Sequence, residues 1–478
     1  MSDDQSKLEL FDVVSLVIGS IIGADIYIAS AFGADLLGPA SLLVWLVAGL
    51  VAMTIAINFS YCALISPDVG GPYAYARDVK GDFFGFIVGW SLFLAEWASI
   101  AVFPAAFTQY FMFLFPNLTW LDQAILKGIF ILIIMISNLI GVKAAGKAND
   151  ILTIGKLGPL LVFVVFGLFF IFLNPATLGN LQPFFQGSVL NFGQALVLIF
   201  WAYAGFEIST IPAGEIDNPH RTIPKAIMIG MSVVILFYMV SNFVVLSVVP
   251  ESVLQASTAP LDSAAQIIFN YSPMIMTFGV FMIWAGALIS ITGSNESGMI
   301  GTSRLAYALS IDGLFPKFFS KIHPKFKTPY LSIIGISLSA YIFSLIGGMS
   351  FLINASVFFM TFVYLITSAI VIPLSNKKPE IKKKLKGRRL MPTLGVIFSL
   401  YILSQTSIDS IISAIILILI GIPVYVYFAP KEERKELKEE FLSKYAIHKR
   451  AIEHTEVFLG HFVKTLVNLR RNKNKKLE

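Results

Sequence analysis

Apolar runs long enough to cross a bilayer recur along nearly the whole of this chain, and two of them are interrupted near their middles. One break falls at Gly19-Ser20-Ile21-Ile22-Gly23-Ala24-Asp25 and the other at Trp201-Ala202-Tyr203-Ala204-Gly205-Phe206-Glu207. Lipid cannot satisfy the backbone N–H and C=O groups that a broken helix exposes, so such a break persists only where it lines a polar cavity. The composition excludes a soluble domain: of 478 residues 56% are hydrophobic and only 13% charged, and the mean hydropathy is +0.78.

At roughly 20 residues per span, about twelve spans are read: Phe11 to Leu37, Pro39 to Ile65, Phe83 to Phe115, Ala124 to Val142, Ile151 to Leu173, Asn191 to Ala213, Ile223 to Val249, Pro273 to Asn295, Pro329 to Ile346, Phe351 to Pro373, Thr393 to Leu403 and Ile408 to Phe428. The expected fold is an all-α integral membrane protein. Positive charge collects in alternate loops, at Arg77 and Lys80, Lys143 and Lys147, Arg221 and Lys225, Lys317 to Lys327, and Lys377 to Arg389, while the loops near Asn117, Asn180, Gln255 and Gly348 hold almost none. Short cytoplasmic loops retain Lys and Arg, so a multi-pass protein of the cytoplasmic membrane with both termini inside is expected. That orientation accounts for the net charge of +6 without a nucleic-acid partner. The opening Met1-Ser2-Asp3-Asp4 is acidic and the first span is too long for a cleaved signal, so it is expected to remain as a helix.

The breaks lie in spans one and six, five spans apart. Discontinuous helices at matching places in two halves point to inverted copies around a midplane transport site. The copies are expected at about 11–173 and about 188–375, followed by a helical hairpin at about 392–428. A tail of residues 1–10 precedes the body. Residues 431–478 follow it, mixing Lys, Arg and Glu with Phe441, Ile447, Val457, Leu459 and Val463, either as a helix on the anionic inner leaflet or as a solvated extension. Cys62 is the single cysteine, and the five histidines fall in inner loops or the tail. Disulfides, a metal centre, a cofactor and an enzymatic cluster are therefore not expected.

Four segments in order are similar to the signatures of the amino acid-polyamine-organocation transporters: Gly19-Ser20-Ile21-Ile22-Gly23-Ala24; Ser66-Pro67-Asp68-Val69-Gly70-Gly71-Pro72-Tyr73-Ala74-Tyr75; Phe200-Trp201-Ala202-Tyr203-Ala204-Gly205-Phe206-Glu207 with Glu215-Ile216-Asp217-Asn218-Pro219-His220-Arg221-Thr222-Ile223-Pro224-Lys225-Ala226; and Asp312-Gly313-Leu314-Phe315-Pro316. The resemblance implies a five-plus-five inverted-repeat fold and secondary transport of amino acids or related amines.

At the first break the amides of Gly23, Ala24 and Asp25, following Ile22, open a half-helix whose positive end favours an anion such as a substrate carboxylate. At the second, the carbonyls of Trp201 and Ala204, released by the turn at Gly205 beside Ala202, face a substrate ammonium. The bland alternative is that these glycines only let helices pack closely. By resemblance Trp201 is the occluding aromatic over the substrate; packing alone is its other role. Lys156, in Gly155-Lys156-Leu157-Gly158-Pro159, is costly inside a span unless it faces the interior and serves an ion or proton route. The resemblance implies that it takes the space where sodium-coupled relatives hold an ion. It is expected to bond the Gly19 carbonyl and to couple protons to opening, or else to be a permanently charged tether.

Three acids complete the site. Asp25 stands where many family members have a small residue, and a carboxylate there repels a substrate carboxylate unless it is protonated, turned away or paired. Glu96, near the middle of span three, would join it in favouring a cationic amino acid or polyamine, unless either acid pairs with Lys156. Glu207 either bonds freed amides or passes protons. A channel needs a continuous polar stripe or filter ring, and a sensor on a transporter fold needs a signalling domain; broken helices with an occluding aromatic favour a carrier. The oligomeric state is not legible.

Overall fold

A computed structural model describes residues 8–66, 70–140, 142–185, 190–210, 216–257, 259–383, 385 and 387–428. Residues 1–7, the connector around Glu215 and the tail from Lys431 lie outside the described residues. The chain divides into Met1–Tyr425 and Val426–Glu478, and the site belongs to the first unit.

Span one is two helices, α1 (Leu10–Ile21) and α2 (Ala24–Leu37). Then come α3 (Ser41–Ile65), a short α4 (Pro72–Lys80), α5 (Asp82–Leu114), α6 (Trp120–Ile140) and α7 (Val142–Leu173). Span six opens with α8 (Leu190–Phe200), which tightens into 3-10 turns at Trp201–Tyr203 and Phe206–Thr210. The remainder is α9 (Pro219–Val248), α10 (Glu251–Ala256), α11 (Pro260–Ile268), α12 (Pro273–Ile311), α13 (Tyr330–Ile346), α14 (Met349–Asn376), α15 (Pro379–Lys382), α16 (Leu390–Gln405) and α17 (Ile408–Phe428). Proline in the first turn opens α4, α9, α11 and α12, where its missing N–H has no intrahelical partner to lose. Among the described residues one isolated bridge, Leu8 to Ile216, is the only extended pairing.

Among the described residues, eight helices are long and apolar enough to cross a membrane, and four apolar helices are shorter: Leu10–Ile21, Asn191–Tyr203, Tyr330–Ile346 and Leu390–Gln405. The first two of these are pieces of the broken spans. Large apolar side chains such as Phe172, Leu236, Met274, Phe278 and Ile346 are exposed, as a lipid-facing surface requires.

Two span limits differ from expectation. The eighth span continues past Asn295 to Ile311, because the polar run Gly293 to Gly298 turns buried side chains to the protein interior while the helix keeps its own backbone bonds. The fifth begins at Val142, which takes Lys143 and Lys147 out of a loop and into helix.

The packing repeats when helices of the first five spans are exchanged for their counterparts five spans on. Helix α5 packs on α14 as α12 packs on α7, α1 packs on α9 as α8 packs on α3, and α3 packs on α14 as α9 packs on α7.

Candidate functional site

At the first break, Ile22 closes the last turn of α1 with a 2.9 Å bond to the Ile18 carbonyl. Ile22 then takes an extended ψ of 104°, Gly23 lies at φ −140°, ψ −140°, and α2 starts at Ala24. Carbonyls at the end of α1 lose their i+4 partners and are met by side chains from three other helices. Lys156 Nζ donates to the Gly19 carbonyl at 2.6 Å, Ser294 Oγ to Ile22 at 2.9 Å and Tyr238 Oη to Ile21 at 3.2 Å. Gly23 is required for space: a β-carbon there would stand 2.7 Å from Ser294 Oγ and 2.9 Å from Asp25 Oδ1.

At the second break, Ala204 is extended and Gly205 takes φ +118°, a left-handed conformation that favours glycine. Both carboxyl oxygens of Glu207 accept the Gly205 N–H at 3.1 Å, and Tyr364 Oη donates to Glu207 at 2.8 Å. The two breaks touch. Ser20 Oγ donates to the Gly205 carbonyl at 2.9 Å, and a β-carbon on Gly205 would lie 2.7 Å from the Ser20 carbonyl oxygen.

Between them lies a cavity of about 30 Å³, lined by Ser20, Asp25, Glu96, Trp201, Gly205 and Ser294 among others. That volume suits a water or two, not an amino acid. Admission of a substrate therefore requires its walls to move. Trp201 is buried on one wall, its indole N–H donating to Ser99 Oγ at 3.3 Å and its ring 6.1 Å from that of Phe103.

The expected residues divide by depth. Asp25, Glu96, Trp201, Ala204 and Gly205 reach the cavity, while Gly19, Lys156 and Glu207 stand behind the breaks and Ala202 is buried off the cavity. Only the backbone of Ala24 is described, as the first residue of α2. Two expectations change. The Trp201 carbonyl is not wholly released, because it accepts the Ala204 N–H at 3.1 Å. Neither Asp25 nor Glu96 forms an ion pair with Lys156; among the described residues the ion pair is Arg77 with Asp312. Asp25 instead accepts the Tyr238 hydroxyl with Oδ2, and its Oδ1 lies close over Gly23. Glu96 is buried with Oε1 lacking a hydrogen-bond partner.

Tyr238, Ser294 and Tyr364 escape a reading by motif, and Ser20 lies within the first break without a role assigned to it. Ser294 had a signal: it belongs to Gly293-Ser294-Asn295-Glu296-Ser297-Gly298, a polar run inside an otherwise apolar 39-residue helix. The tyrosines had none, since aromatic residues are common throughout the spans.

A family model described as amino acid permease matches residues 8–434. A branched-chain amino acid permease of Bacillus subtilis (strain 168) is 26% identical over 451 residues, which is 90% of this chain and 94% of the relative. A serine/threonine exchanger of the same organism is 27% identical over 444 residues, 90% of this chain and 98% of the relative. Its methylthioribose transporter is 25% identical over 448 residues, 89% and 93% of the two chains.

Proposed function

Since the chain belongs to the amino acid permeases of the amino acid-polyamine-organocation superfamily, we propose that it carries an amino acid or related amine across the cytoplasmic membrane by sodium-independent, proton-coupled alternating access. Membership makes it a membrane transporter and not an enzyme. The observation that carries the finer reading is the setting of the Lys156 ammonium. It is fully buried against three oxygen acceptors, the Gly19 and Ile22 carbonyls and Ser294 Oγ, at 2.6, 3.4 and 3.3 Å. Unwound carbonyls of a broken helix are what a transporter offers a coupling cation. An ammonium on the same oxygens replaces the metal ion, and its proton is the ion that can leave. Losing that proton removes a charge-assisted bond, roughly 1.5–3 kcal/mol in general, from the hinge of span one.

The exchange symmetry of the helix packing supports two inverted copies of five spans each, with α16 and α17 as an added hairpin. The positive loops support cytoplasmic termini. The relatives' named substrates differ in polarity and shape, which leaves the substrate to the cavity walls. A second reading, exchange in place of proton symport, draws on the relative named as an exchanger.

Uptake into sealed proteoliposomes tests the proposal. Saturable uptake is expected to persist when choline replaces sodium and to rise when the outside is made acid. Lys156→Met is expected to abolish the acid stimulation. Undiminished stimulation in that variant ends the proton-carrier role, and efflux that requires substrate on the far side favours exchange.

A further inference from the structure

The chain between α14 and α16 is rich in Lys and Arg, with Glu380 as its one acid. Part of that charge is committed to the protein itself. Lys377 Nζ donates to the Asp78 carbonyl, Lys378 Nζ to the Ile65 carbonyl at 2.6 Å and Lys382 Nζ to Asn376 Oδ1 at 2.5 Å. Three other cations are gathered elsewhere: Lys383, Arg388 and Arg389 line a cavity of about 440 Å³, together with Leu385, Gly387 and Leu390. Among the described residues, no hydrogen bond or ion pair engages these three cationic side chains, and no carboxylate lines the cavity. Leu385 is 6% exposed and anchors the connector, and Gly387 turns it at φ +70°. Like charges brought together without a counter-ion repel one another, so the arrangement calls for an anion. The preference of short loops for Lys and Arg explains the sign of this charge but not its convergence on one hollow.

An apolar track leads away from the same hollow. Leu390, which lines it, opens α16 and is 58% exposed, and Ile397 and Tyr401 follow at 53% and 45%. Their spacing puts them on one face of the helix, while Pro392, Gly395, Ser399 and Ile402 on the opposite face are buried. We propose that this hollow is a binding site for an anionic phospholipid, its phosphate held by Lys383, Arg388 and Arg389 and an acyl chain laid along the Leu390, Ile397 and Tyr401 face of α16. A free phosphate satisfies the cations and leaves the track uncovered. A zwitterionic lipid covers the track but brings a cation of its own against three others. An anionic lipid meets both demands: basic residues near a membrane surface attract it, and guanidinium groups match phosphate oxygens in pairs. The site is separate from the cavity between the broken helices and does not depend on what is transported.

The test titrates the full-length protein in a neutral detergent with phosphatidylglycerol, with phosphatidylcholine of the same acyl chains and with glycerol 3-phosphate, counting bound ligand by native mass spectrometry. Phosphatidylglycerol is expected to bind at least about tenfold more tightly than either of the others. Replacing the three cations together, by Lys383→Gln, Arg388→Gln and Arg389→Gln, is expected to weaken phosphatidylglycerol by about tenfold or more. Lys317→Gln, Lys321→Gln and Lys325→Gln, which delete the same charge from another connector, are expected to weaken it by less than about threefold. If the first variant does not fold, Arg388→Gln combined with Arg389→Gln is read in its place. Equal weakening by the two sets, or phosphatidylglycerol binding unchanged in the first, overturns the site and leaves only diffuse loop charge. Phosphatidylcholine or glycerol 3-phosphate bound as tightly as phosphatidylglycerol overturns the assignment to an anionic lipid.

Discussion

At Gly205 the chain takes a left-handed turn, and a β-carbon there would lie 2.7 Å from the Ser20 carbonyl oxygen of the other broken span. An alanine there meets two penalties at once, about 1–2 kcal/mol for the left-handed backbone and a backbone contact that no flexible side chain can relieve. Gly205→Ala is expected to cut uptake by at least about tenfold and to lower the melting temperature by several degrees; uptake and melting both at wild-type levels would show that the turn is not needed. Lys156 and Gly205 are legible in the sequence for physical reasons. An ammonium in an apolar run and a glycine in a transmembrane break each carry a cost that packing alone rarely explains. Tyr238 and Tyr364 are not legible, because their roles come from hydroxyl groups that three-dimensional packing alone directs at Asp25 and Glu207.

Among the elements, α12 links the site to the connector helix α4. Its middle supplies Ser294 to the first break, and just beyond its end Asp312 accepts bonds from Tyr73 at 2.6 Å and Arg77 at 3.3 Å of α4. Burial, and next the bond to Asp312, push the Tyr73 hydroxyl's ionisation up, so it remains a donor throughout the working pH range. The Arg77 pair is about one-third exposed and contributes about 0–1 kcal/mol. Most of the tie therefore lies in the buried tyrosine bond. Asp312→Ala is expected to speed amide hydrogen exchange in α4 by up to about tenfold, equivalent to roughly 1.4 kcal/mol of lost protection, with little change in the middle of α5. Unaltered exchange in α4 would contradict this tie. The length of α12 escapes a hydropathy reading because polar residues resemble a span end when their burial is unknown. The connector helices α4, α10 and α11 escape it because they are short and do not cross the bilayer.

For the whole molecule, the charge of alternate loops supports the proposed topology with both termini inside. The sole cysteine, Cys62, is fully buried, which leaves a quiet background for thiol labelling. In intact cells a membrane-impermeant maleimide is expected to label Asn117→Cys and to spare Lys321→Cys until the membrane is opened; the opposite pattern would invert the protein. Apolar spans and their breaks are legible because lipid imposes them segment by segment. The Asp25–Tyr238 bond is not, because it depends on where one carboxylate folds back.

The central claim is that the paired breaks are the substrate seat, and an experimentally determined structure with a transported substrate bound tests it most directly. Ligand density is expected between Ser20 and Gly205, against Asp25 and Glu96 and beneath Trp201, in a cavity expanded well beyond its present size. Density lodged elsewhere among the helices, with this cavity still contracted, would contradict it.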